Sequence, residues 1–92
     1  MAEWTIPALA DFTAAMEHIA AVAPDLAGSI ASRVHAAVAR LEQFPGLGTP
    51  GRRKGTRELV LPRIPYVIVY RESPGIITIL RFLHTSRIRP LQ

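Results

Sequence analysis

Three short runs of β-branched and aromatic residues in the second half of the chain constrain its fold most strongly. They lie at residues 57–61, 66–71 and 76–83, and the breaks between them contain proline or glycine. Runs of this length and composition, separated by turn-forming residues, are typical of consecutive antiparallel strands. Every residue from 66 to 70 in the middle run is apolar. The middle run is therefore predicted to be a central strand that is covered on both faces.

The first half of the chain predicts two helices joined as a hairpin. Apolar residues recur at three- and four-residue spacing over residues 9–23 and again over residues 26–44, as they do on one face of an amphipathic helix. Pro24 separates the two stripes, and Pro45 is expected to end the second helix. With a short candidate strand at residues 2–5, the order is β-α-α-β-β-β. This order predicts an α+β fold in which the helix hairpin packs on one face of an antiparallel sheet and leaves the other face open.

Length and composition indicate a single domain over residues 1–92. The hydrophobic share of 49% and the charged share of 20% suit one modest core. The absence of cysteine excludes disulfides and thiolate metal sites and leads us to expect a cytoplasmic protein. The histidines show no spacing with carboxylates that would bind a metal, so no metal or other cofactor is expected. No run is long enough to span a membrane and no signal-peptide pattern is present, so no membrane association is expected.

Positive charge is concentrated in the second half of the chain. Residues 1–44 contain two arginines and five acidic residues, a net charge of −3, whereas residues 45–92 contain nine basic and two acidic residues, a net charge of +7. Three of these cations, Arg52, Arg53 and Lys54, lie in a glycine- and proline-rich loop. The distribution favours an anionic partner, either nucleic acid or an acidic protein segment. The alternative is a solvated basic face with no partner.

Only one histidine is a credible candidate for proton transfer. His84 lies at the end of the last predicted strand, close in sequence to Arg81 and Arg87. A side chain that titrates near neutrality can donate or accept a proton beside a phosphate, and the alternative is a hydrogen bond to backbone at the strand end. A metal-free ribonuclease also needs cations for the developing charge, which Arg57, Arg81 and Arg87 can supply. Because side chains alternate, however, Arg81 and His84 are expected on opposite faces unless the strand ends or bulges between them.

A set of short motifs runs in a fixed order through residues 4–90. It comprises Trp4, Ala10-Asp11-Phe12, the helix from Arg33 to Leu41, Phe44-Pro45 with Gly48 and Pro50, Gly55-Thr56-Arg57-Glu58-Leu59, Pro65-Tyr66-Val67-Ile68-Val69-Tyr70, Ile79-Leu80-Arg81 and Leu83-His84. This set resembles the RelE/ParE superfamily of bacterial toxins from type II toxin–antitoxin modules. The resemblance implies a small toxin that arrests growth until a cognate antitoxin binds it in a hetero-oligomer. The disordered C-terminal segment of the antitoxin would fold as it binds an apolar groove and a strand edge of the toxin.

Members of this superfamily divide into two activities. RelE-like toxins cut messenger RNA in the ribosomal A site, whereas ParE-like toxins bind DNA gyrase and trap its cleaved complex with DNA. The nucleases have an Arg-Leu-Val-Tyr run where this chain has Val67-Ile68-Val69-Tyr70, so Val67 takes the place of their catalytic arginine. The resemblance therefore implies a ParE-like gyrase inhibitor with no chemistry of its own.

Two alternatives remain open at this point. One is a RelE-like endoribonuclease that acts on the ribosome with a catalytic set formed by His84, Arg57, Arg81 and Arg87. The other is an inactivated toxin fold retained in a DNA-binding repressor complex. For either target, gyrase or the ribosome with its messenger RNA, the expected contact residues are Arg52, Arg53, Lys54, Arg57, Arg81, His84, Arg87 and Arg89.

Overall fold

The computed structural model describes residues 1–88 and shows two long helices packed on a five-stranded sheet. The elements in chain order are β1 (Ala2–Trp4), α1 (Ile6–Val22), α2 (Pro24–Gln43), β2 (Thr49–Pro50), β3 (Arg57–Val60), β4 (Tyr66–Ser73), β5 (Ile76–His84) and α3 (Thr85–Ile88). The α+β class, the helix hairpin and the three predicted strands are confirmed. No helix within residues 1–88 is long and apolar enough to cross a membrane.

Proline and capping residues set the bounds of the two long helices. The Thr5 hydroxyl accepts a hydrogen bond of 3.1 Å from the amide of Ala8, which satisfies one of the unpaired amides of the first turn of α1. Pro24 opens α2 immediately after α1 ends at Val22. Proline suits the first turn of a helix because its missing N–H has no partner to lose there. Helix α2 ends at Gln43, two residues before Pro45, as predicted.

The sheet has the strand order β1-β5-β4-β3-β2, so β4 is the central strand as predicted. The prediction of a wholly antiparallel sheet was wrong in one respect, because β1 pairs parallel with β5. The two strands lie at opposite ends of the chain, and no local turn fixes their relative direction. Thr49 and Pro50 form the short edge strand β2 on β3. The sheet is therefore mixed, with β2 at the edge opposite β1.

The core lies between the helices and one face of the sheet. Tyr66, Ile68 and Tyr70 of β4 face the helices, and Val34 and Leu41 of α2 are fully buried against this layer. On the other face of β4, Val67 is only 3% exposed and Val69 is half-buried. The central strand is thus covered on both faces at Val67, while the rest of the second face remains accessible.

A β-bulge in β5 changes which residues occupy the two faces. Val69 of β4 pairs with Arg81, but the next residue, Tyr70, pairs with Ile79, so Leu80 is the extra residue. The bulge allows Ile79 and Phe82 to enter the core although they are three positions apart. It also places Leu80 and Arg81, which are adjacent in sequence, along the same open-face pocket.

Candidate functional site: a basic pocket on the open sheet face

The face of the sheet opposite the helices forms the floor of a pocket of about 700 Å³, which we call the basic pocket. Three half-buried aliphatic side chains form its floor, Val69, Leu80 and Leu83. Six cations of the described chain surround this floor: Arg52, Arg53, Lys54, Arg71, Arg81 and Arg87. The other lining residues within 1–88 are Thr56 and Glu58, and Glu58 is the one carboxylate among them. A cleft with this excess of one charge concentrates anions at its surface.

The loop between β2 and β3 presents three of the cations. It is closed by a hydrogen bond of 2.8 Å from the Gly51 amide to the Thr56 carbonyl oxygen. The Thr56 hydroxyl donates a second bond of 2.7 Å to the Arg53 carbonyl oxygen. Gly55 has a φ of +82°, a left-handed conformation that glycine adopts without steric cost. This tight turn places residues 52–54 beside the sheet, and the Arg52 amide contacts a Glu58 carboxylate oxygen at 3.4 Å.

Asp11 of α1 fixes the position of Arg81. The Arg81 Nε donates to one carboxylate oxygen of Asp11 at 2.6 Å and Nη2 donates to the other at 3.0 Å. The backbone amide of Phe82 donates to the same carboxylate at 3.0 Å. Burial alone would raise the pKa of Asp11, but the hydrogen bonds from Arg81 and Phe82 outweigh burial and hold its pKa below the ordinary value of 3.8. The same contact raises the pKa of Arg81, so the pair is ionised and its guanidinium is held in one orientation.

His84 lies on the face of the sheet that carries the helices. It pairs across the strands with Tyr66, and the two rings meet edge to face with centroids 5.3 Å apart. Its Nδ1 accepts a hydrogen bond of 3.1 Å from the Ser86 amide and lies 2.8 Å from the Ser86 hydroxyl. His84 therefore makes the backbone contact at the strand end that the sequence offered as its alternative role. It is absent from the described lining of the basic pocket.

Arg57 also lies away from the basic pocket. Its partner across the strands is Tyr70, so it emerges on the same face as that core residue. The Arg57 guanidinium donates to the Gly48 carbonyl oxygen at 2.9 Å and lies 3.8 Å from a Glu72 carboxylate oxygen. These contacts tie β3 to the preceding loop and to β4 at the edge of the sheet.

The structure thus brings together part of the predicted contact set. The basic pocket contains Arg52, Arg53, Lys54, Arg81 and Arg87, whereas Arg57 and His84 lie on the other face. Arg89 lies outside the described residues. Arg71 and Glu58 are not among the residues that the sequence predicted for this site. Because side chains alternate along a strand, Arg71 lies on the same face as Val69, and the sequence could have indicated this. The register that pairs Glu58 with Val69 cannot be read from the sequence.

Comparisons with known proteins agree with this fold. A family model described as the ParE toxin of the type II toxin–antitoxin system parDE matches residues 2–89. The chain is 40% identical over 87 residues to Y4kP of Sinorhizobium fredii, covering 95% of this chain and 90% of that protein. It is 34% identical over 85 residues to the toxin RelE2 of Caulobacter vibrioides, covering 92% and 94%. A solved chain of the chromosomal ParDE system from P. aeruginosa matches with a TM-score of 0.80 and 30% identity, covering 90% and 92%.

Proposed function

This chain belongs to the ParE family of toxins from type II toxin–antitoxin systems, and from that premise we propose that it arrests growth by binding DNA gyrase. As a toxin of the RelE/ParE superfamily, it has a cognate antitoxin as its implied partner. The proposed action is to hold the cleaved complex of gyrase with DNA in the cytoplasm, with the antitoxin preventing that contact in a hetero-oligomer.

The proposal rests on the separation of His84 from the basic pocket. Metal-free RNA cleavage needs a base for the attacking hydroxyl and an acid for the leaving oxygen, both close to the cations that stabilise the phosphate. His84 and Arg81 emerge on opposite faces of β5. Among the described lining residues, Glu58 is the one carboxylate and no histidine is present. A single carboxylate among cations supplies one of the two roles, so the geometry favours binding over cleavage.

The environment of Val67 supports the same conclusion. This residue, which replaces the catalytic arginine of the family's nucleases, is 3% exposed and pairs with Val60 on one side and Leu83 on the other. An apolar side chain buried at this position gives no charge to the transition state of phosphoryl transfer.

The proposed contact surface consists of the basic pocket together with the sheet edge around it. Arg52, Arg53, Lys54, Arg81 and Arg87 contribute from the pocket, and Arg57 and His84 contribute from the neighbouring edge and strand end. Arg89 remains a proposed contact from sequence alone. None of these residues is assigned a chemical step.

A gyrase assay with purified toxin tests the proposal. Toxin added to gyrase, ATP and relaxed plasmid is expected to abolish supercoiling and to leave linear DNA after the protein is denatured. The His84→Ala variant is expected to weaken inhibition by the loss of one contact but not to abolish it, because His84 performs no proton transfer. Supercoiling that continues at a large molar excess of toxin would contradict the proposal. Ribosome-dependent cutting of messenger RNA that His84→Ala abolishes would establish the nuclease alternative instead.

A further inference from the structure

We propose that the basic pocket binds the phosphate backbone of duplex DNA directly, so that the toxin holds the DNA as well as the enzyme. This inference rests on the proposed gyrase function and specifies the partner of one part of its contact surface. It assigns the open-face cations to DNA and leaves the remaining contacts to gyrase.

The charge of the pocket matches a phosphate chain. Among the described residues, five arginines and one lysine line it against the single carboxylate of Glu58, and Asp11 offsets one further charge by pairing with Arg81. Duplex DNA carries one negative charge for roughly every 1.7 Å of its axis. Arginine is well suited to such a partner because its planar guanidinium binds phosphate oxygens through two parallel hydrogen bonds.

The cations reach the pocket from several separate elements. Arg52, Arg53 and Lys54 come from the loop before β3, Arg71 from β4, and Arg81 and Arg87 from β5 and α3. They therefore surround the aliphatic floor instead of following one helix or strand. Such an arrangement contacts several phosphates at once and fixes the position of a backbone.

The side chains of the pocket favour a backbone partner over unpaired bases. Single-stranded nucleic acid is bound largely by stacking its bases on aromatic rings. No aromatic residue lies among the described residues that line the pocket. Tyr66 and Tyr70 of β4 and Phe82 of β5 are buried on the other face of the sheet, towards the helices. The remaining mode of recognition is contact with phosphates and sugars, which does not depend on the nucleotide sequence.

An acidic protein segment is the competing occupant. An amphipathic helix that binds a groove uses apolar anchors spread over two or more turns. Among the described residues, the floor of the basic pocket offers only Val69, Leu80 and Leu83, and each of them is half-buried within the sheet. The balance of six cations against three aliphatic side chains favours a partner with regularly spaced charge and little apolar surface.

Glu58 provides an internal test of this assignment. Its carboxylate lies at 3.4 Å from the Arg52 amide and is the only negative group in the described lining. A nearby phosphate would be repelled by it. Glu58→Gln removes the charge and keeps an oxygen that can accept from Arg52, so this variant is expected to bind DNA more tightly.

Fluorescence anisotropy with a labelled random-sequence duplex tests the inference. Arg53→Gln and Arg71→Gln, both exposed positions of the pocket, are each expected to weaken binding several-fold and to reduce the slope of log K against log salt by about 1. Arg40→Gln removes the same charge from an exposed position on α2 and is expected to change neither quantity. Glu58→Gln is expected to tighten binding by about 1.5–5-fold, the scale of a single surface charge contact.

Equal effects of the pocket variants and of Arg40→Gln would overturn the inference. Failure to bind duplex at low salt would also overturn it. The pocket would then be assigned to the antitoxin if an acidic antitoxin peptide binds and if Arg53→Gln and Arg71→Gln weaken that binding. The gyrase assay on the same variants separates the two proposals. Gyrase inhibition without duplex binding refutes the inference and leaves the proposed function intact, whereas duplex binding without gyrase inhibition supports the pocket assignment and refutes the proposed function.

Discussion

At the residue scale, Asp11 connects the helix layer with the basic pocket. Strand β1 covers only residues 77–79 of β5, so the backbone of β5 beyond that point lacks a strand partner on that side. Asp11 accepts from the Phe82 amide there and from the Arg81 guanidinium at the same time. One carboxylate therefore completes the hydrogen bonding of the strand edge and orients a cation of the pocket.

Asp11→Ala is expected to lower the free energy of unfolding by about 1–2 kcal/mol, the lower part of the range for charged hydrogen bonds because Arg81 is partly solvated. Because the pKa of Asp11 is lower in the folded protein than its ordinary value of 3.8, its contribution is fully present above that value. It is lost as the pH falls through the folded pKa. Urea denaturation at neutral and acidic pH checks this, with the exposed Glu17→Ala of the same helix as the control. If the difference in free energy of unfolding between Asp11→Ala and the unchanged protein stays constant down to about pH 2, the result would contradict this prediction.

The hydroxyl of Tyr70 holds the loop after α2. It donates to the Pro45 carbonyl oxygen at 2.7 Å and accepts from the Gly48 amide at 2.8 Å. Burial raises the pKa of Tyr70, which keeps the hydroxyl protonated as a donor. Both backbone groups depend on this one side chain.

Tyr70→Phe is expected to destabilise the fold by about 1–3 kcal/mol, because it leaves a buried amide and a carbonyl oxygen without a partner. Tyr66→Phe in the same strand is the matched control. The Tyr66 hydroxyl makes no hydrogen bond to another described residue, so a change within about 0.5 kcal/mol is expected. Thermal unfolding of the two variants measures the difference, and equal losses would refute this role for Tyr70.

At the element scale, the connection from α2 to β2 depends on close packing at one glycine. A Cβ at Gly48 would lie 2.8 Å from the Glu58 carbonyl oxygen and from the Tyr70 ring, whereas a Cβ at Gly46 meets nothing within 4 Å. The Glu58 carbonyl belongs to the backbone of β3, so this contact can be relieved only if β3 moves. Gly48 is therefore required where β2 approaches β3.

Gly48→Ala is expected to destabilise the protein by about 1–3 kcal/mol, the usual cost of overpacking. Gly46→Ala is expected to be neutral or to stabilise by up to about 1 kcal/mol, because alanine restricts the unfolded chain more than glycine does. Denaturation midpoints of the two variants give the comparison. If Gly46→Ala lowers the denaturation midpoint as much as Gly48→Ala does, the conformational freedom of glycine explains the loss of stability, and the close approach of β2 to β3 does not.

The elements differ in how far the sequence predicts them. Helix bounds followed from Pro24 and Pro45, and three strands followed from their apolar runs, because these signals are local. The bulge at Leu80 and the parallel pairing of β1 depend on contacts between distant segments and left no local signal. The same limit applies to the site. Its cations were predicted as a set, and strand alternation predicted that Arg81 and His84 lie on opposite faces, but the register that adds Glu58 needed the folded sheet.

At the scale of the whole molecule, the two layers carry opposite charge. Residues 1–44, which contain both long helices, have a net charge of −3, and residues 45–92, which contain strands β2 to β5, have +7. Because the helices cover one sheet face, the cations collect on the other face and at the sheet edge. This division leaves the basic pocket open to solvent, while the main core cluster lies on the opposite side of the sheet.

The most direct test of the account is to induce this chain in bacteria without its antitoxin and follow DNA-damage signalling and protein synthesis over the first minutes. A gyrase-directed toxin is expected to trigger the damage response and filamentation while translation continues. An inactive variant that remains bound by the antitoxin serves as the control for expression. Immediate loss of protein synthesis with cleaved messenger RNA, and no early damage response, would contradict the account.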